Sequence, residues 1–263
     1  MKKADLINLL NSDNRFEFEI FECIGSTSEY LKSKAKDGAK EGLVAIAQAQ
    51  TAGIGRMNRA FSSPKGSGIY MSVLLRPQEA ACDGITLTVC AAVAVYEAIK
   101  EITGIDTDIK WVNDLYLSEK KICGILTQGA IAQNGSDFEY AVLGIGLNLC
   151  NTFAGTELED IATGLYQSLS QEKIEALKCS LIVKILQRFF VYYSNGMKAS
   201  KTTLLSKYRN RLFIIGKQVT VISYTGEYEA TVIDLNDDFS LKIRTTDGNY
   251  HNLNSGEVRL KLK

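Results

Sequence analysis

The sequence predicts an α+β fold in two parts: a mixed-sheet domain over residues 1–212 and a small β-barrel over residues 213–263. Three observations predict it. Runs of strand length are interleaved with long helical patterns as far as Leu212. Beyond that residue only short alternating runs remain, separated by turn signals. The chain has 263 residues, 46% of them hydrophobic and 23% charged, which is enough to bury one large core and a small one.

The elements follow in order. Phe16 to Phe21 alternates as a strand. Ser26 with Glu29 three residues later is a capping box, and Tyr30, Leu31 and Ala35 continue at helical spacing until Gly38. Leu43 to Ala47 is a short apolar strand, Thr51 to Gly68 a long glycine- and serine-rich loop, and Ile69 to Leu75 a strand ending at Arg76-Pro77. Val89, Ala92, Val93, Tyr96 and Ile99 mark a buried helix over Ile85 to Ile102, stopped by Gly104. Four strands are expected at Ile109 to Val112, Leu115 to Leu117, Lys121 to Gln128 and Tyr140 to Leu149, with a tight turn at Ser118-Glu119-Lys120. Leu177, Leu181, Ile185 and Phe189 line one face of a helix over Ile174 to Tyr193, and a shorter helix spans Lys201 to Tyr208. The barrel strands are Val219 to Ile222, Tyr228 to Ile233, Leu241 to Arg244 and Val258 to Leu262, with turns at Asn236-Asp237-Asp238 and Thr246 to Asn249.

Composition excludes several function classes. Thirty basic residues balance thirty acidic ones, so no global field recruits DNA or an anionic membrane, and any anion site must be local. The N-terminus turns polar within ten residues and offers no signal-peptide core, and no apolar run reaches the roughly 20 residues of a spanning helix. The six cysteines (Cys23, Cys82, Cys90, Cys123, Cys150, Cys179) form no CxxC pair, as expected for reduced, mostly buried thiols of a cytoplasmic protein. His251 is the single histidine, so a histidine triad or metal site would have to use it, and in its polar, strand-like run it reads as a solvated or hydrogen-bonded structural residue.

Three segments are left to carry chemistry. Lys110-Trp111-Val112-Asn113-Asp114 holds the only tryptophan and gathers a lysine, an amide and a carboxylate. Strand alternation would send Lys110 and Val112 to one face and Trp111 to the other. Lys110 then reads as an ordinary solvated lysine or as a point charge for phosphate or carboxylate. The loop Gln50 to Gly68 offers four glycines together with Arg56 and Arg59. It is neither a Walker A loop nor a dinucleotide fingerprint, and reads as a mobile surface loop or an anion-binding lid. Gly144-Ile145-Gly146-Leu147-Asn148 marks close approach of a ligand or a simple bulge.

In their order along the chain, Ser26-Thr27, the Gly-Arg loop, Lys-Trp-x-Asn-Asp, Lys121-x-x-Gly124-Ile-Leu and Gly-x-Gly-x-Asn resemble the biotin protein ligases, from about Ile20 to Leu149. The β-rich tail looks like the SH3-like barrel of those enzymes. The resemblance implies a ligase of the monofunctional type, without an N-terminal DNA-binding domain. It would form biotinyl-5′-AMP from biotin, ATP and Mg²⁺, then biotinylate a lysine of a biotin carboxyl carrier protein, as a monomer or homodimer. It implies that Ser26, Thr27, Ser28 and Gln50 hold the ureido head of biotin, with Gly53, Ile54, Gly55 and Arg56 in the loop closing over it. Lys110 and Arg56 would be catalytic, with Lys110 on the biotin carboxylate and the α-phosphate. Phe61, Asn113 and Asn148 would contact ATP, Asp114 would lie on the metal side, and Gly124 and Gly146 would leave room for ligand. The chain departs from the family where Ile54, Met57 and Asn58 replace two arginines and a glycine, where Phe61 takes a tryptophan position, and where Val112 takes a proline position. The alternatives are a lipoate or octanoyl ligase of the same fold and a non-catalytic biotin or nucleotide sensor.

Overall fold

The computed structural model describes residues 3–10, 14–78, 83–132, 138–223, 226–254 and 257–260. It begins with α1 (Lys3–Leu9), β1 (Glu17–Phe21), α2 (Thr27–Lys36), β2 (Leu43–Ala47), β3 (Gly68–Leu75) and α3 (Gly84–Thr103). β4 (Asp108–Lys110), β5 (Asp114–Leu117), β6 (Lys120–Ile131), β7 (Phe138–Asn148), α4 (Gln171–Ser194) and α5 (Met197–Arg209) follow. The chain ends with β8 (Gln218–Ser223), β9 (Gly226–Leu235), β10 (Leu241–Thr245), β11 (Tyr250–Leu253) and β12 (Glu257–Leu260).

The first seven strands form one mixed sheet in the order β1-β2-β3-β7-β6-β5-β4, parallel between β1 and β2 and antiparallel elsewhere. The last five form an antiparallel sheet in the order β11-β10-β9-β8-β12. The expected α+β class with a mixed sheet and a C-terminal β unit is therefore borne out.

Helices cover the two faces of the large sheet unequally, and this inequality creates the site. α3 is capped by Asp83, whose carboxylate accepts from the Thr86 amide at 2.7 Å, and is ended by Gly104 in left-handed backbone (φ 74°). It is apolar nearly all round because it lies between the sheet on one side and α4 and α5 on the other. On the opposite face only α2 packs, against β2, β3 and β7. Its contribution is a small cluster of Leu31, Ala35, Leu43, Ala45, Leu74, Tyr140 and Val142. The half of that face formed by β7, β6 and β5 is left open beside the N-terminus of α2.

Several expectations require correction. The strand expected at 109–112 ends at Lys110, and Trp111 to Asn113 form a turn into β5. Strand alternation therefore does not apply to Trp111 and Val112, and both are buried. The Trp111–Val112 peptide is cis. The Trp111 indole donates to the Phe239 carbonyl at 2.9 Å, tying this turn to the smaller sheet. α1 and β11 were not expected, and α5 begins at Met197 rather than at residue 201. Residues 261–262 of the last expected strand, and Cys82, lie outside the described residues. Of the other cysteines, all free thiols, Cys23 is exposed and Cys150 half-buried, while Cys90, Cys123 and Cys179 are buried.

Candidate active site

A cavity of about 240 Å³ opens where α2 stops covering the sheet. Its floor is a product of strand register. Ser72, Gly144 and Leu126 lie in one row across β3, β7 and β6, while Tyr70, Gly146, Gly124, Asp114 and Lys110 lie in the next. The glycines turn these rows into a trough. A Cβ on Gly146 would lie 2.4 Å from the Phe61 ring, and one on Gly144 would lie 2.8 Å from the Ser28 hydroxyl.

One end of the trough is a buried cluster of neutral hydrogen-bonding groups. Ser26 caps α2 by accepting from the Glu29 amide at 3.4 Å. The reciprocal half of the expected capping box is absent, because the Glu29 carboxylate pairs instead with Lys32 at 2.7 Å. Gln50 accepts at Oε1 from the Thr27 amide (2.8 Å) and the Thr27 hydroxyl (3.1 Å), and donates from Nε2 to Ser63 Oγ at 2.9 Å. Ser72 Oγ lies 2.8 Å from Thr27 Oγ1 and 2.9 Å from Ser28 Oγ. Ser26, Thr27, Ser28, Ser63 and Ser72 are all buried.

The other end is charged. The Arg56 guanidinium donates to Asn113 Oδ1 at 3.1 Å, and Asn113 is fixed by donating to the Ile125 carbonyl at 2.9 Å. The Lys121 ammonium pairs with Asp114 at 2.7 Å and lies 3.2 Å from where a Cβ on Gly124 would stand. Asn148 is buried on the cavity wall, and its Oδ1 has no hydrogen-bond partner among the described residues.

The lid is a short hairpin. Phe61 N donates to Gly53 O and Gly55 N to Arg59 O, each at 2.8 Å, and Arg59 N closes the turn onto Arg56 O at 3.2 Å. The turn residues Met57 and Asn58 both have positive φ (55° and 56°), the type I′ geometry that matches strand twist. Asparagine tolerates this backbone nearly as well as glycine, which explains how Asn58 serves at a glycine position; methionine does not.

Ser26, Thr27, Ser28, Gln50, Ile54, Gly55, Arg56, Phe61, Asn113, Asp114, Gly124, Gly146 and Asn148 thus converge on one cavity. Gly53 is beside it rather than on its wall. A side chain there would meet Phe61 O at 2.5 Å and Ser63 Oγ at 2.9 Å, so this glycine lets the hairpin close.

Lys110, expected to be catalytic, lies further out than the other expected residues. It shares a row with Gly124 but stands on the edge strand β4, with Asp114 between them. Its ammonium lies over the Tyr116 ring at 5.5 Å and reaches the Tyr116 hydroxyl at 3.5 Å, and it is not on the cavity wall. Lys121, three residues before Gly124 on β6, is the lysine that faces the cavity. Sequence reasoning also missed Ser72, Ser63 and the apolar rim of Phe153, Leu158 and Ile161. That rim is carried to the cavity by bonds of the Lys121 amide to Ile161 O (2.8 Å) and of the Thr163 amide to Lys121 O (2.9 Å).

Burial pushes both the Cys123 thiol and the Tyr208 phenol well up from their ordinary values, which keeps both protonated. His251 is exposed on β11, away from the cavity wall. Among the described residues no group of three or more His, Cys, Asp or Glu side chains could cage a metal, and no helix is long and apolar enough to cross a membrane.

The biotin/lipoate A/B protein ligase family model matches residues 20–148. The bifunctional ligase/repressor BirA of Bacillus subtilis (strain 168) is 34% identical over 86% of this chain and 69% of its own length. The biotin--[acetyl-CoA-carboxylase] ligase of Mycobacterium tuberculosis (strain ATCC 25618 / H37Rv) is 29% identical over 78% of this chain and 74% of its own. The structure of the biotin protein ligase from Aquifex aeolicus in complex with biotin and ATP superposes with a TM-score of 0.73 at 25% identity, covering 94% of this chain and 99% of that one. The chain belongs to the biotin/lipoate A/B protein ligase family, on its biotin protein ligase branch.

Proposed function

We propose that the protein is an ATP-dependent biotin protein ligase. It would activate biotin as biotinyl-5′-AMP and transfer it to a lysine of a biotin carboxyl carrier domain. The observation that carries this reading is the polarity of one cavity, which has a neutral hydroxyl–amide cluster at one end and Arg56 with Lys121 at the other. A ureido ring is neutral and carries both donors and an acceptor, so it matches the first end. A dithiolane ring carries no N–H or C=O and would offer those groups no hydrogen-bond partner.

The first step joins two anions, as the biotin carboxylate attacks the α-phosphorus of ATP and pyrophosphate leaves. Arg56, Lys110 and Lys121 offset the repulsion and stabilise charge developing on the phosphoryl oxygens. Phe61 and the apolar rim of Phe153, Leu158 and Ile161 provide faces for the base, and the unpartnered Asn148 Oδ1 accepts from its amino group. In the second step the acceptor amine attacks the acyl carbon and AMP leaves. The Gly53–Phe61 hairpin excludes the water that would otherwise hydrolyse the anhydride.

Magnesium fits as an ion arriving with the triphosphate, since it is commonly held by phosphates and one or two carboxylates. Among the described residues Asp114 is the one carboxylate on the cavity wall, and it would hold the ion. Bound there, the ion would neutralise phosphate charge.

The test is incubation with ATP, Mg²⁺ and either biotin or lipoate, following pyrophosphate release and label transfer to a carboxylase carrier domain. Biotin-dependent transfer is expected. Lipoate-dependent transfer, or binding without turnover, overturns the reading.

A further inference from the structure

We infer that Ser72 sets the direction of the hydroxyl protons at the neutral end of the cavity, and thereby makes Ser28 an acceptor toward the ligand. The inference rests on the biotin reading above and names the residue that gives that end its selectivity.

The supply of protons fixes which hydroxyl donates. Gln50 is oriented by its neighbours: its Oε1 accepts from both the Thr27 amide and the Thr27 hydroxyl, and its Nε2 donates to Ser63, which in turn donates to the Phe61 carbonyl at 3.1 Å. A hydroxyl has one proton and two lone pairs. Thr27 has therefore spent its proton on Gln50, and the 2.8 Å contact with Ser72 requires Ser72 to donate. Ser72 has then spent its own proton, and the 2.9 Å contact with Ser28 requires Ser28 to donate. Ser28 is left with lone pairs only. It presents an acceptor to the cavity that it lines.

The arrangement is rigid. Ser72 is fully buried at the centre of β3, and its row neighbour Gly144 leaves just the space that the Ser28 hydroxyl occupies. A solvated hydroxyl could rotate to suit either an N–H or an oxygen of the ligand. Ser28 cannot do so without breaking the chain that runs back through Ser72 and Thr27 to Gln50. The site accordingly rewards a ligand N–H at this point and penalises an oxygen. Ser72 is thus a positioning residue, acting through Ser28 without supplying the contact itself.

The experiment measures binding by calorimetry of biotin and of its two cyclic carbamate analogues, in each of which one ureido N–H is replaced by oxygen. The wild-type protein should prefer biotin to at least one carbamate by tenfold or more. Ser72→Ala frees the Ser28 proton to turn toward the ligand, so it should narrow that ratio at least fivefold while the melting temperature stays near that of wild type. Thr27→Val releases the same chain from its other end and should narrow the ratio as well, which keeps the test decisive if Ser72→Ala does not fold. An unchanged ratio in the folded variants, or a wild-type protein that binds biotin and both carbamates alike, overturns the inference. A wild-type protein that binds no biotin overturns the functional reading instead.

Discussion

Exchanging each of two lysines for methionine tests Lys121, which lines the cavity, and Lys110, which the family resemblance makes catalytic. Methionine keeps the stem and removes the charge. Lys121 stands on β6 beside Gly124, where its ammonium can reach a phosphoryl oxygen directly. Losing one such donor from a preorganised site lowers turnover by about 10² to 10³. Lys110 lies two strands away on β4, hence about 10 Å from the β6 column. The flexible four-carbon stem of Lys110 spans much of that separation, so its ammonium can meet the same phosphoryl charge. Biotin-dependent ATP–pyrophosphate exchange should therefore fall at least a hundredfold in both Lys121→Met and Lys110→Met, with circular dichroism confirming that both fold. Because Lys121→Met also leaves the Asp114 carboxylate without its partner, Asp114→Asn/Lys121→Met should be no more active than Lys121→Met alone. Near-normal exchange in a folded Lys121→Met or Lys110→Met protein would refute the role of that lysine.

Three further outcomes are expected. Gly146→Ala drives a methyl into the Phe61 ring, so calorimetry should show nucleotide affinity reduced tenfold or more with biotin affinity changed less than threefold. Met57→Asn puts a residue that accepts positive φ at the tip of the lid, and should raise amide hydrogen-exchange protection at Gly55 and Phe61 several-fold. Lys178 is buried, donates to Gln48 at 3.0 Å, and has its pKa lowered by burial from the ordinary lysine value. Between its folded value and the unfolded value near 10.5 the unfolded chain holds more protons, so stability rises with pH through that window. The stability of wild type relative to Lys178→Met, from denaturant titrations, should accordingly increase as pH rises toward 10.5; a decrease would contradict the burial argument.

Much of the fold was legible because it is local. The alternation at Phe16 to Phe21, the Ser26 cap and the Gly104 stop of α3 are short-range patterns, and each appears where it was expected. What failed was also local in cause. Tyr250-His251-Asn252-Leu253 pairs at the edge of the small sheet with three of its four residues exposed, so it carries no apolar alternation to detect. Trp111 and Val112 are apolar and read as the end of a strand, yet they turn, with Trp111 bonded to Phe239. The site was legible in its glycines, hydroxyls and Arg56, whose residue types already point to a close-fitting anion and hydrogen-bonding pocket. The place of Lys121 on the cavity wall was not, because it depends on how β6 pairs with β5 and β7. Ser72 was equally invisible, since a lone serine in an apolar strand acquires its meaning only when α2 lands on it.

The bond from the Trp111 indole to the Phe239 carbonyl gives the protein an intrinsic optical gauge. Trp111 is the only tryptophan in the chain, and its buried ring sits at the seam between the large sheet and the smaller one. The same turn continues into Asn113 and Asp114 on the cavity wall, and Tyr208 holds it from the other side by donating to the Val112 carbonyl at 3.0 Å. Any loosening of the small sheet would wet the indole and shift its emission to the red before the large core opens. Fluorescence from this one ring, recorded without labelling, therefore reads the seating of the C-terminal unit and the placement of the charged end of the cavity in a single signal.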